Sequence, residues 1–382
     1  MLFRKPGLMV SGLFVLVHSV AVPGQTIFAE GLQYPQKMTA TPRGSLLVSE
    51  GGTSEAHTGR VSIVSPTGVR RSLLEGLPAA PGHGIPAFGP AGIALNGRTL
   101  YLVIGDGDME VGPPFVFNPA GSSSPLFQSI LRVELSAEPD TITTSFRLTP
   151  GDQWALFDGH DVELRNSAGE RATVHRLMAF HQVLRNILGG VQVLRVSAPY
   201  GLALDPAGDA LYVVDTNSET LVRVNTRTGQ SQVLTRFQPD QRPGPQFVDN
   251  VPTAVCAVEG GLLVSFLSGN PFPAGAASVK IWRPSDGGWS KPALAAGDLS
   301  MVTDLVCLRN AAGAARMVTV EYAAEPATRA TVPSGRVLVH DGPSRRLVAS
   351  GLNLPVAVTQ DPASGSLFVA TLGGVIFRFP AP

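Results

Sequence analysis

Short apolar runs recur along this chain in pairs joined by a polar turn, and the pairs themselves repeat. The clearest copy spans 199–215, where runs at 201–204 and 211–214 flank Asp205-Pro-Ala-Gly-Asp209. Aliphatic and β-branched residues in short runs bounded by Pro, Gly and Asp predict strands. Pro206 and Gly208 predict the hairpin between them, the first fixing φ and the second supplying positive φ. Further runs at 220–225 and 232–236 complete four antiparallel strands. Equivalent phrases stand at 35–50, 90–106, 252–267, 302–321 and 355–371. Their spacing, roughly 50 residues, is that of propeller blades.

The pattern predicts an all-β fold, a six-bladed β-propeller closed through its termini. After Pro355 the chain has only three strand runs, whereas Thr26-Ile-Phe-Ala-Glu-Gly-Leu32 matches outer-strand phrases such as Arg71-Ser-Leu-Leu-Glu-Gly-Leu77. This N-terminal strand is expected to complete the last blade and remove an open sheet edge. One interval, between Pro90 and Pro199, is about two repeats long. It reads as an elaborated second blade with an insertion at about 137–197, a degenerate seventh blade being the alternative. Within it we expect a hairpin of 161–165 with 172–177 and a short helix over 178–188.

The first residues change the picture of where the domain begins. Arg4 and Lys5 precede an apolar stretch over 8–22 with Ser19 and Ala21 near its end. This predicts a signal peptide over 1–24, cleaved after Ala21 or Gly24, leaving a single domain over 25–382 that is periplasmic or secreted. The stretch is interrupted by Ser11 and His18 and falls short of a membrane span. No stable span is expected after cleavage. Charged residues are 15% and balance, Lys+Arg 29 against Asp+Glu 29, so a nucleic-acid partner is not expected. The partner class is instead a small molecule or a protein, and the chain is expected to be a monomer. Cys256 and Cys307 fall in the inner strands of adjacent blades, pointing to opposite faces of their own sheets. A disulfide and a pair of buried free thiols both fit this placement.

Loop elaboration is confined to one rim. That rim collects Glu50, His57, His83, Asp106, Asp215, Asn217, Asn250, Asn270, Phe272 and Glu321, with Phe115, Phe117, Phe247 and Tyr322 as apolar anchors. Long loops on one face of a rigid scaffold are where binding sites sit. Asp, Asn and Gly also stand in such loops because turns need them. Asp106-Gly-Asp108 lacks EF-hand spacing, and no nucleophile elbow or phosphate loop is present.

Glu50-Gly-Gly, Thr58-Gly-Arg-Val-Ser-Ile-Val, Gly89-Pro-Ala-Gly-Ile-Ala and Leu267-Ser-Gly-Asn-Pro-Phe-Pro-Ala-Gly-Ala-Ala-Ser-Val279 resemble the ScyD/ScyE family of propeller proteins. The resemblance covers nearly all of the chain after the leader and implies an exported, NHL-like, six-bladed propeller from a bacterium. It implies no established activity. A more distant likeness is to gluconolactonase-type propellers, which implies a divalent cation on the axis. Glu50, Asn217 and Asp304 are the ligand set by blade position, with calcium or zinc as the cation. Two functions follow: a binding scaffold acting through the loop-rich rim without a resident cofactor, or a metal-dependent lactonase or hydrolase.

Overall fold

The computed structural model describes residues 25–81, 87–111, 116–180, 183–188, 191–241, 247–269, 271–286, 288–309 and 315–382. The leader expected over 1–24 lies outside these residues. Six sheets, antiparallel except where the short strand Phe146–Arg147 pairs parallel with Arg70–Leu77, form a six-bladed β-propeller. The inner strands are Pro35–Ala40, Pro90–Asn96, Pro199–Leu204, Pro252–Val258, Val302–Arg309 and Pro355–Gln360. Each pairs with the next strand of its blade, setting Pro35 opposite Glu50, Pro90 opposite Ile104 and Pro199 opposite Asp215. In the other three blades Pro252 faces Phe266, Val302 faces Glu321 and Pro355 faces Thr371.

The core is divided among the blades. Buried apolar residues of the described chain fall into six clusters, one at each interface between neighbouring blades. Inner strands approach so closely that some positions exclude any side chain. A Cβ at Gly92 or Gly201 would lie 2.6 Å from the carbonyl oxygen of Tyr200 or Thr253 on the next blade. The glycine of Pro90-Ala-Gly92 and of Pro199-Tyr-Gly201 is therefore a packing requirement where blades 2, 3 and 4 meet.

Closure occurs where the termini predicted it. Thr26–Ala29 pairs antiparallel with Ile376–Phe379, and Phe28 packs on Phe368 with ring centroids 4.6 Å apart. The long interval forms one blade, not two. Its outer part is the hairpin Val162–Arg165 with Arg171–Ala179, added to Ser129–Leu135 to make a five-stranded sheet.

The helix expected over 178–188 is a misreading. Met178 and Ala179 end a strand, and Val183–Leu188 pairs with Val191–Val196 as a separate ribbon. The segment lacks an N-cap, and its Leu188-Gly-Gly-Val191 sequence carries a hairpin signal. The chain's α-helix among the described residues is Pro150–Phe157. Thr149 caps it, accepting from the Asp152 amide at 3.2 Å while Asp152 accepts from the Thr149 amide at 2.8 Å. With Pro150 at the first helical position, this capping box is the start signal that sequence reading passed over.

Candidate functional site

The loop-rich rim opens into a cup of about 370 Å³ on the propeller axis. Its floor is one residue from each blade, the second of each inner strand: Gln36, Ala91, Tyr200, Thr253, Thr303 and Val356. Two floor threonines are tied to the next blade, Thr253 Oγ1 donating to Val302 O at 2.8 Å and Thr303 Oγ1 to Pro355 O at 3.1 Å. The lower wall comes from the residue that follows each second strand, with Gly105, Thr216, Leu267, Tyr322 and Leu372 contributing. All six residues at that position donate a backbone amide to the segment leading into their own inner strand, as Thr216 does to Ala198 O at 2.9 Å and Tyr322 to Met301 O at 2.9 Å. Phe88, Asp106, Asn217, Phe272, Met301 and Arg329 rise above this ring. The chamber is mostly apolar, with a few polar groups placed on a rigid scaffold, as in small-molecule sites.

Beneath the floor the axis is closed by an ion pair. Lys37, from blade 1, donates Nζ to Asp304 Oδ1 at 2.6 Å and to Thr303 O at 2.7 Å, both on blade 5. The same ammonium lies 4.9 Å from the centroid of the Tyr200 ring on blade 3. A nitrogen touching alternate blades around the ring stands at the axis itself. Asp304 Oδ2 also accepts from the Val358 amide at 2.8 Å. Burial pushes Lys37 down and Asp304 up, and each is opposed by the charge of the other. Burial also pushes the Tyr200 phenol up. On the far side of this pair a second chamber opens to the opposite rim.

The metal set expected from sequence does not fit a cation. Asn217 lines the cup, Asp304 is committed to Lys37, and Glu50 lies outside the cup altogether. Glu50 is fully buried, accepting from the Gln33 amide and Ser62 Oγ, with Arg60 at 3.0 Å and Arg70 at 3.5 Å. Among the described residues no group of three or more His, Cys, Asp or Glu side chains is arranged to hold a metal ion. The position where a cation would sit on the axis is taken by the Lys37 ammonium.

Three rim carboxylates prove to be structural. Glu50, Asp215 and Glu321 each end a second strand and receive an amide from the segment leading into their own inner strand: Gln33, Ala198 and Ser300 respectively. Asp215 Oδ1 also accepts from the Ser218 amide at 2.9 Å, and Glu321 pairs with Arg336. Asn250 is likewise internal, bonding Gln238 O and receiving Lys280 Nζ at 3.4 Å. His57 sits in a turn at φ 60° with its Nδ1 buried, away from the cup. Phe117 is exposed in the short strand Val116–Phe117, and Phe247 belongs to the strand Phe247–Val248. His83, Phe115 and Asn270 lie outside the described residues.

Asp106, Asn217, Phe272 and Tyr322 are the predicted residues that the structure brings together. Asp106 is buried, and Asn217 Nδ2 approaches its Oδ2 at 3.5 Å. Burial, then the Glu110 carboxylate and more weakly Asp215, push Asp106 up to about 7 against the pull of backbone amides in its own turn. Register shows that Asp106 is the counterpart of Asn217 and not of Asp215, whose place in blade 2 is held by Ile104. The six floor residues escaped sequence reading. Their signal was the variable second position of each inner strand, which follows proline in five of the six. Cys256 and Cys307 form a disulfide across blades 4 and 5, at the second chamber.

No protein-family model and no curated protein sequence matches the chain. Among solved structures it is similar to a gluconolactonase from Xanthomonas campestris, at 13% identity over 94% of this chain and 89% of that one, with a TM-score of 0.51. It is also similar to an auxiliary nutrient binding protein from Bacteroides thetaiotaomicron, at 8% identity over 91% and 69%, TM-score 0.51. A second auxiliary nutrient binding protein, from Bacteroides ovatus, matches at 9% identity over 94% and 76%, TM-score 0.50. At such identities the likeness is one of fold.

Proposed function

We propose that this chain is an exported propeller that binds a small organic ligand in the cup on its loop-rich rim. The observation that carries the reading is the cup itself: an apolar chamber of about 370 Å³ whose floor takes one side chain from every blade. Rigid walls with few polar groups favour a ligand whose body is apolar. Export rests on the basic and apolar pattern of the first residues, and the ScyD/ScyE-like motifs agree with it. The fold hosts binding proteins and a lactonase among its neighbours, so fold alone does not choose. The commitment of Glu50 to arginines and of Asp304 to Lys37 weighs against the lactonase reading with its axial cation.

Binding of the neutral fluorophore N-phenyl-1-naphthylamine to the purified protein tests this. Phe272→Ala and Tyr322→Ala are each expected to weaken binding about tenfold, the loss of one aromatic contact. Trp154→Ala, on the exposed face of the outer helix, is expected to leave it unchanged. Binding is also expected to survive dialysis against a chelator. Equal binding by all three variants would overturn the cup as the site, and loss of binding on chelation would return the metal reading to first place.

A further inference from the structure

The cup carries one acidic and one basic side chain among its described lining residues, Asp106 and Arg329. Asp106 follows the second strand of blade 2, Thr99–Ile104, and Arg329 follows that of blade 5, Ala315–Glu321. In a ring of six, blades 2 and 5 are diametrically opposed. The two charges thus come from opposite blades, Arg329 reaching over Phe272 of blade 4, and among the described ion pairs none joins them. Apolar side chains, Leu267, Phe272 and Tyr322 among them, occupy the wall between.

Neither group is spent on the other's chemistry. Arg329 is positioned by stacking over the Phe272 ring at 5.1 Å and by a bond from Nη1 to Pro326 O at 2.6 Å. A guanidinium has five donors, so further ones remain for a ligand. Asp106 is 6% exposed and has the neutral Asn217 amide as its side-chain neighbour. Among the described residues the charges that act on it, Glu110 and Asp215, are also acidic. Glu110 accepts from the Val196 amide at 3.1 Å, and Asp215 Oδ2 is buried with no hydrogen-bond partner. An uncharged ligand can fill the apolar part of the cup but leaves this cluster of carboxylates without a counter-charge, and a carboxylate shielded from water is best matched by a cation. An ammonium group supplies both charge and donors.

We propose that the cup takes a bipolar organic ligand, with an ammonium group against Asp106, an acid group toward Arg329 and an apolar body between. An unblocked apolar dipeptide is the simplest molecule of this class. The assignment rests on the cup being the binding site, so its test must separate the two.

Displacement of N-phenyl-1-naphthylamine from the full mature chain by leucyl-phenylalanine separates them. The free dipeptide is expected to displace the fluorophore, and acetylating its amine or amidating its carboxylate to weaken it about tenfold each. Asp106→Asn is expected to abolish discrimination against the acetylated form only, and Arg329→Gln against the amidated form only. Circular dichroism confirms that both variants are folded. Equal potency of free and doubly blocked dipeptides, or no displacement by either, overturns the bipolar assignment while fluorophore binding sensitive to Phe272→Ala keeps the cup. A protein that does not bind the fluorophore overturns both.

Discussion

Asp106 couples the chemistry of the cup to the stability of the fold. Its carboxyl titrates near 3.8 when solvated and is pushed up to about 7 by burial and by Glu110. A group that holds its proton more tightly when folded stabilises the folded state fully below the unfolded pKa, and that contribution is lost as pH rises through the folded one. Relative to Asp106→Asn, the wild type should therefore lose up to about 4 kcal/mol of unfolding free energy between about pH 4 and pH 8. Urea titrations of both proteins across that range measure it, and a difference that stays flat sinks the reading. The contrast with Asp215 shows why the site was only partly legible. Both are aspartates at the end of a strand phrase, and sequence treats them alike. A two-residue difference in register sends Asp215 back onto the amides of Ala198 and Ser218 and leaves Asp106 facing the cup. Arg329 and the floor residues were invisible for a related reason: the axis is assembled from single positions some 50 residues apart, a spacing set by the blade repeat.

At the scale of elements, strands were readable because each blade states its own pattern, and Pro206 with Gly208 announces its hairpin. Blade 2 was harder because its fourth strand, Arg171–Ala179, is reached only after a helix that packs outside the ring. The turn residues Asn166-Ser-Ala-Gly169 mark 172–177 as a hairpin strand, yet the apolar ribbon that follows was misread as a helix. The two inner strands joined by Cys256 and Cys307 raise a separate point. Their bond closes a loop with a sequence separation of 51 and bridges neighbouring blades beside the second chamber. A cross-link of that span removes freedom mainly from the unfolded chain, so replacing both cysteines with serine should cost about 2 to 4 kcal/mol. The measurement is the unfolding free energy from urea titration, in which the slope should also rise because the unfolded chain without the cross-link is less compact. Fluorophore binding should persist, since the bond lies on the far side of the Lys37–Asp304 pair from the cup. Loss of binding in a variant that remains folded would mean that the two chambers are coupled.

The whole molecule is a ring whose neighbours meet through six apolar interfaces, with, among the described residues, one ionic contact across its centre. Apolar contacts hold adjacent blades and say nothing about blades further apart. Lys37 and Asp304 connect blades 1 and 5, skipping blade 6, and seal the floor between the chambers. The two partners are nearly buried, at 5% and 6% exposure, so the pair is a weak source of net stability but a severe one to break. Lys37→Met should leave the buried Asp304 charge with backbone amides, those of Val358 and Leu305, but no cation, and destabilise the fold by about 3 to 5 kcal/mol near neutral pH. The loss should shrink on acidification, because protonated Asp304 no longer requires a cation. Removing both charges together, Lys37→Met with Asp304→Leu, should recover most of the stability, since an apolar pair of similar volume replaces a desolvated ionic one without leaving a charge behind. Three urea midpoints decide the matter. If the double variant is no more stable than Lys37→Met, the pair is not what holds the centre, and the contact of the Lys37 ammonium with the Tyr200 ring carries the stabilisation instead.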